Sequence, residues 1–317
     1  MTMRIGVVFP GQGSQVVGMG VDVARSSPAA AQCFAAAKTI LGYDLLALCE
    51  SGPEERLRET RYAQPAIFVT NVALARAVGE ALEPVVGAGH SFGELCALTL
   101  AGALTFETAL ALVNERGLAM HRAAALAQGA MAAVLGLAAD ALRDAVATTV
   151  ARGGGRVQLA NFNAPGQIVI SGDAEAVRMA GELAMEAGAK RVVPLNVAGA
   201  WHSALMDPAK DEFAAHVQAA TVTPPRFTVI SNVDAQPYAE VEQIKTNLIR
   251  SVTDEVLWHD TAVAMVALKL DLIVEFGAQS ILAPMFKRIA AAPKAITVSG
   301  AAAIERLREQ IAPQAVS

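Results

Sequence analysis

Short apolar runs broken by glycine and proline alternate along this chain with longer stretches of helical period. That alternation predicts a layered α/β protein. Residues 5–9 (IGVVF) have the pattern of a buried strand, stopped by Pro10-Gly11. Helical patterns follow at 28–41, 45–49 and 64–82, the last with Pro65 in its first turn, where a missing N–H is tolerated. A second short run, Val85-Val86, leads into the glycine-rich stretch from Gly87 to Glu94. Helices at 94–100 and 106–126 come next.

Near Gly129 the pattern changes. It predicts a strand at 131–137, a helix at 138–151 and a turn at Gly153-Gly154-Gly155. Strands at 157–161 and 167–171 follow, joined by Ala164-Pro165-Gly166, then a helix at 175–187 with Asp173 near its N-cap and a strand at 191–197. Strand–helix–strand–strand–helix–strand is the split βαβ of a ferredoxin-like unit, so residues 129–197 are expected to be an inserted small subdomain. The large α/β subdomain then comprises 1–128 and 198–317. Its second part carries predicted strands at 228–231 and 272–276 and helices at 243–251 and 261–268. The tail from Pro313 is expected to fray.

Composition narrows this picture. With 54% hydrophobic and 17% charged residues in 317, the chain can build a large core and does not read as disordered. Three scattered cysteines suit small core residues of a reducing compartment better than a disulfide framework or a zinc site. Residues 1–13 hold too short an apolar stretch for a signal peptide, and Glu107 interrupts the most apolar region, 97–113. The expectation is a cytoplasmic protein with no membrane partner. A formal net charge of −5 argues against nucleic acid as a partner.

The chemistry concentrates at Gly89-His90-Ser91-Phe92-Gly93. This is G-x-S-x-G between a strand and a helix, the setting of a nucleophile elbow, and it makes the large subdomain α/β-hydrolase-like. Ser91 is the expected nucleophile, placed at a helix N-terminus where unpaired N–H groups favour an oxyanion. A serine hydroxyl needs a base within hydrogen-bond reach. Among five histidines, His202 closes the loop after the small subdomain's last strand, and His259 stands near a helix start. Chain order favours His202, but order does not establish proximity. The loop from Pro10 to Gln15 lacks a P-loop lysine; it can instead offer a backbone N–H to an oxyanion hole, beside that of Phe92. Arg116, within an apolar helix, reads on its own as a snorkelling surface arginine.

Taken together, PGQGSQ (10–15), YAQPAIF (62–68), GHSFGE (89–94), ERG (115–117), NFNAPGQIVISG (161–172), HSALM (202–206) and SNVDAQP (231–237) resemble one family. It is that of the malonyl-CoA:acyl carrier protein transacylases, with polyketide synthase acyltransferase domains as close relatives. The resemblance implies Ser91 as the acyl-carrying nucleophile, His202 as general base, and the N–H groups of Gln12 and Phe92 as the oxyanion hole. Arg116 then pairs with the free malonyl carboxylate, for which a planar guanidinium is well shaped. The implied reaction is ping-pong transfer from malonyl-CoA to the phosphopantetheine thiol of an acyl carrier protein, by a monomer with no cofactor or metal of its own.

Three positions depart from the family pattern. Phe92 stands where leucine is commoner, and Trp201 where phenylalanine or something smaller precedes the base. Ser251 aligns with a glutamine whose main-chain carbonyl orients the base. Phe92 and Trp201 are expected to shape the acyl pocket, and Gly199-Ala200-Trp201-His202 is closer to the malonyl-associated His-Ala-Phe-His segment than to Tyr-Ala-Ser-His. These departures hint at an acyltransferase serving a polyketide synthase in trans. Lys190-Arg191 and Lys287-Arg288 are candidate docking pairs for an acidic carrier protein, or simply solvated surface charges. A rival reading is an acyl hydrolase using the same dyad, and a third is a catalytically dead docking module.

Overall fold

A computed structural model describes residues 3–312; the expected fraying of the tail from Pro313 lies outside them. The architecture is mixed α/β, built on two sheets. Five parallel strands form the larger sheet: β1 (Ile5–Phe9), β2 (Pro84–Gly89), β7 (Thr228–Val229), β8 (Leu272–Phe276) and β9 (Lys294–Val298), in the order β7-β2-β1-β8-β9. The smaller, four-stranded and antiparallel, contains β3 (Gly129–Leu135), β4 (Val157–Ala164), β5 (Gln167–Asp173) and β6 (Arg191–Pro194), in the order β4-β5-β3-β6.

The period of the central strands explains the layers. Ile5, Val7 and Phe9 of β1 join one apolar cluster with residues of the helices Thr60–Val78 and Phe106–Ala124. Val8 points the other way, into a second cluster with Trp258, Met265 and Phe286. Successive side chains of a strand face opposite sides, so an all-apolar run has to be covered on both. The small sheet has a third cluster of its own, with Leu142 and Val146 from one helix and Val177, Ala180 and Ala184 from another. It is tied back through β4: Phe162 N–H donates to Val256 O at 2.9 Å, and Val256 N–H to Ala160 O at 2.8 Å.

The expected element order holds, with corrections at the edges. The helix expected at 64–82 is Thr60–Val78, which places Pro65 inside it rather than in its first turn. The strand expected at 191–197 ends at Pro194, and that at 157–161 continues to Ala164. Asp173 is the residue before its helix but caps nothing with its side chain; its carboxylate instead accepts from Arg156 N–H at 2.8 Å. Helix Val21–Ser26, strand β9 and helix Ala301–Ile311 were not foreseen. Cys33, Cys49 and Cys96 are buried free thiols. Among the described residues, no helix is long and apolar enough to cross a membrane.

What the fold supplies to the site is a shared strand edge. Phe9 pairs with Gly89 at the carboxyl ends of adjacent strands β1 and β2. The loop after β1 and the turn after β2 therefore emerge side by side, where open α/β sheets bind their ligands.

Candidate active site

Strand β2 turns into helix Gly93–Leu100 within three residues, His90, Ser91 and Phe92. Side chains do not fit around so tight a turn. A Cβ on Gly89 would run into the Gly93 carbonyl, and one on Gly93 into the carbonyl oxygen of Phe9. Ser91 itself has φ 55°, in the left-handed region that non-glycine residues avoid. The turn thrusts its hydroxyl out over the strand ends, which is the geometry of an elbow.

Ser91 Oγ lies 2.8 Å from His202 Nε2. The other ring nitrogen, Nδ1, is 3.2 Å from the main-chain carbonyl of Asp254. A carbonyl only accepts, so Nδ1 carries the proton, and Nε2 is left with a lone pair directed at the serine O–H. His202, like Ser91, is held at positive φ, 57°. Asp254, rather than Ser251, is the partner of Nδ1; the Ser251 carbonyl is the lesser of the two main-chain oxygens favouring the charged ring. His259, the alternative base, occupies the first turn of helix Trp258–Ala267. The imidazole beside Ser91 is that of His202.

Arg116 is not a snorkelling surface residue. It is 1% exposed and enters the same site from the middle of helix Phe106–Ala124. Nη1 donates to Gln64 Oε1 at 2.8 Å and Nη2 to Ser91 Oγ at 3.3 Å, while Nε has no partner. No salt bridge reaches this guanidinium among the described residues. Burial pushes its pKa down to about 10, opposed by the Glu94 carboxylate. A buried cation normally carries a bonded anion, so a site of this kind is complementary to a ligand carboxylate.

Gln64 links this cation to the loop after β1. Its Nε2 donates to Thr60 Oγ1 at 2.8 Å, and Thr60 Oγ1 donates to Gln12 Oε1 at 2.9 Å. A Cβ on Gly11 would come within 2.6 Å of His90 O, so this loop lies directly against the elbow. Among the described residues, no protein acceptor takes the main-chain N–H of Gln12 or Phe92. The Phe92 side chain is buried, with its ring centroid 6.0 Å from the Arg116 guanidinium carbon. Trp201 is buried too; its ring packs beside Gly199, and its indole N–H has no partner.

Several participants carried no role in the sequence reading. His90 Nε2 lies 2.9 Å from Asn163 Oδ1, joining the elbow to the small sheet. Asn232 bonds both main-chain groups of Ser91, and the buried Glu94 bonds Asn232 and Tyr238. Thr60, Asp254 and Tyr238 lacked any local signal, whereas Gln64, Asn163 and Asn232 lie inside recognised segments. Of the basic residues, Lys190, Arg191, Lys287 and Arg288 are all exposed. Arg288 Nη1 donates to Gln167 Oε1 at 3.0 Å, just past the β4–β5 turn. The Lys190 side chain lies beside Gly136, whose N–H donates to Gly166 O in that turn at 2.7 Å. Both pairs thus approach one end of the small sheet.

Known proteins of one family share this sequence and fold. Residues 7–309 match the acyl transferase domain family. The chain is 40% identical over 303 residues to the malonyl CoA-acyl carrier protein transacylase of Bacillus subtilis, covering 95% of each. It resembles the crystal structure of an acyl carrier protein S-malonyltransferase from Vibrio cholerae, with TM-score 0.91 and 40% identity, over 96% of this chain and 99% of that one. A malonyl-transacylase solved in complex with a type II PKS acyl-carrier protein matches with TM-score 0.92 and 37% identity, over 97% and 99%.

The electrostatics generate a pH prediction. Burial first, then the charges of Arg116 and His90, push the His202 pKa down to about 3, against the pull of the Asp254 and Ser251 carbonyls. The free enzyme therefore keeps a neutral imidazole throughout the ordinary range, and the acylation rate from pH 8 to pH 5 should lack the acid limb of a histidine near ~6.5. The stability sign is fixed as well. The unfolded ring binds a proton below ~6.5 and the folded ring does not, so His202's contribution is complete above ~6.5 and falls away towards pH 3. Stopped-flow acylation profiles and chemical denaturation across this range check both; a sharp acylation limb near pH 6.5 would contradict the buried, neutral ring.

Proposed function

The chain belongs to the acyl transferase family, and we propose that it transfers the malonyl group of malonyl-CoA to the phosphopantetheine thiol of an acyl carrier protein through a malonyl-serine intermediate. The carrying observation is the buried guanidinium of Arg116, without a carboxylate partner among the described residues, 3.3 Å from the hydroxyl that His202 engages. An acyl-serine site next to a buried cation suits an acyl group with a free carboxylate at its far end. A hydrolase of neutral acyl chains has no use for that cation.

The steps follow from the named atoms. Ser91 Oγ attacks the thioester carbonyl carbon while its proton passes to His202 Nε2. The oxyanion is received by the N–H groups of Gln12 and Phe92, which are free to donate. The C–S bond breaks and the CoA thiolate takes the proton from His202. In the second half the phosphopantetheine thiol gives its proton to His202 and attacks the serine ester, and Ser91 recovers its hydrogen. The thioester is already activated, so the scheme calls on no metal or redox cofactor. Phosphopantetheine belongs to the carrier protein, and these substrates place the reaction in the cytoplasm.

Subdomains and accessory residues complete the reading. Residues 1–128 and 198–317 form an α/β-hydrolase-like catalytic subdomain, and 129–197 a ferredoxin-like insert. The antiparallel order β4-β5-β3-β6 and a separate apolar cluster support that division. Phe92, beside Arg116, and Trp201, next to the base in sequence, narrow the acyl pocket against a branch on the malonyl α-carbon. Lys190, Arg191, Lys287 and Arg288 offer an acidic carrier a basic surface that the chain's overall charge does not.

Three experiments test this reading. Ser91→Ala abolishes labelling of the protein by radiolabelled malonyl-CoA; label that persists at another residue refutes the mechanism. Arg116→Ala cuts the specificity constant for malonyl-CoA far more than for acetyl-CoA, since stranding a buried ionic partner costs roughly 2–5 kcal/mol. Equal losses would make Arg116 structural. In the same panel methylmalonyl-CoA falls ~10–200-fold below malonyl-CoA, the discrimination one methyl allows. Charge reversal at both basic pairs raises the KM for carrier protein and leaves serine acylation unchanged, whereas an unaffected KM places docking elsewhere. Running that assay with fatty-acid and polyketide carriers side by side identifies the pathway.

A further inference from the structure

Asn232 lies in the segment after β7 and touches neither the hydroxyl nor the imidazole of the dyad, yet it engages the nucleophile's backbone on both sides. Ser91 N–H donates to Asn232 Oδ1 at 3.0 Å, and Asn232 Nδ2 donates to Ser91 O at 3.0 Å. We propose that Asn232 is a positioning residue that clasps Ser91 in its left-handed backbone conformation and so aims the hydroxyl at His202. This rests on the reading of Ser91 as nucleophile.

A non-glycine residue at φ 55° persists only where its surroundings over-determine it. Here one carboxamide satisfies both main-chain polar groups of the strained residue, a two-point constraint that fixes the peptide planes on either side of it. The carboxamide is itself immobilised. Asn232 is 1% exposed, its own N–H donates to Glu94 Oε2 at 2.9 Å, and its Nδ2 also reaches that oxygen. Tyr238 Oη donates to the other Glu94 oxygen, and Leu257 N–H donates to Asn232 O at 2.8 Å. Glu94 stands in the first turn of helix Gly93–Leu100, so the clasp is anchored on the helix that the elbow begins. The Ser91 N–H is committed to Asn232 and so is not offered to an oxyanion, which is in keeping with Phe92 and Gln12 as the donors.

The test is rapid-quench measurement of acyl-serine formation in the full chain, from malonyl-CoA and separately from acetyl-CoA. Asn232→Ala lowers the acylation rate constant per active site about 10²-fold, the scale of a misplaced reacting group, and by the same factor for both donors. The malonyl-CoA concentration giving half-saturation changes little, because Arg116 and the pocket are untouched. Asn232→Asp, nearly isosteric but without the N–H donors, also slows the step. Were Asn232 merely structural, the burst amplitude would shrink with the folded fraction while the rate constant per active site stayed at the wild-type value; that result in either variant overturns the proposal. Should the wild-type chain form no acyl-serine at all, it is the functional reading that fails.

Discussion

Arg116 carries a positive charge into the interior, with no carboxylate bonded to it among the described residues, and much of the surrounding structure answers to that constraint. Its helix, Phe106–Ala124, packs on Thr60–Val78, whose Gln64 supplies the one carbonyl oxygen that holds the guanidinium in place. Gly117, next in sequence, keeps the two helices close: a Cβ there would lie 3.1 Å from the Thr60 carbonyl. The partnerless Nε remains, together with a charge opposed only at a distance by Glu94. Native interiors rarely leave a cation in that condition. The arrangement makes sense as a site preorganised for an anion, in which ordering the cation precedes binding.

The same constraint joins groups that are distant in sequence. Gln12, Thr60, Gln64, Arg116 and Ser91 are linked by consecutive hydrogen bonds of 2.9, 2.8, 2.8 and 3.3 Å. A side chain of the loop proposed to offer an oxyanion N–H is thereby connected to the cation proposed to receive the far end of the acyl group. In the proposed reading both ends of a malonyl unit meet one network, in which Thr60 and Gln64 each use a donor and an acceptor. Hydrogen bonds linked in this way hold geometry better than isolated pairs. Asn232 and Glu94 constrain the nucleophile's backbone from the opposite side, so the elbow is braced twice.

The sequence disclosed the elbow, the layer order and the paired sheets because each depends on local signals. Glycines flanking Ser91 mark the tight turn, and apolar period marks the strands. It disclosed less about helix ends: no side chain caps the start at Thr60, and the stop before the positive-φ Gly79 falls inside the stretch expected to be helical. Arg116 looked superficial because charge and helical period say nothing about depth. Its burial follows from the packing of Phe106–Ala124 against other helices. Without the family resemblance, chain order favours His202 over His259 but does not place either beside the serine, for the same reason. Only the fold shows which of two histidines reaches the serine, and it brings His202 across 111 positions of chain. The carbonyl behind the base shows the limit of reasoning by alignment: any residue has a carbonyl, and here a turn at the end of helix Val241–Arg250 presents that of Asp254.

A base whose pKa is near 3 is a weak acceptor for a serine proton, and the origin of that value shows how the difficulty is met. Burial depresses it most, and the neighbouring guanidinium comes next. A carboxylate bound across Arg116 neutralises the second influence, and the oxyanion formed at the carbonyl carbon adds a negative charge close to the ring. Both changes favour imidazolium, and both accompany the acyl group. In the proposed malonyl-serine intermediate the carboxylate remains in place, so the ring keeps that part of its basicity for the incoming thiol. Burial keeps His202 neutral in the free enzyme, and the cation adds to it. In the proposed reading a bound carboxylate removes the cation's share, which ties the strength of the base to recognition of the acyl group.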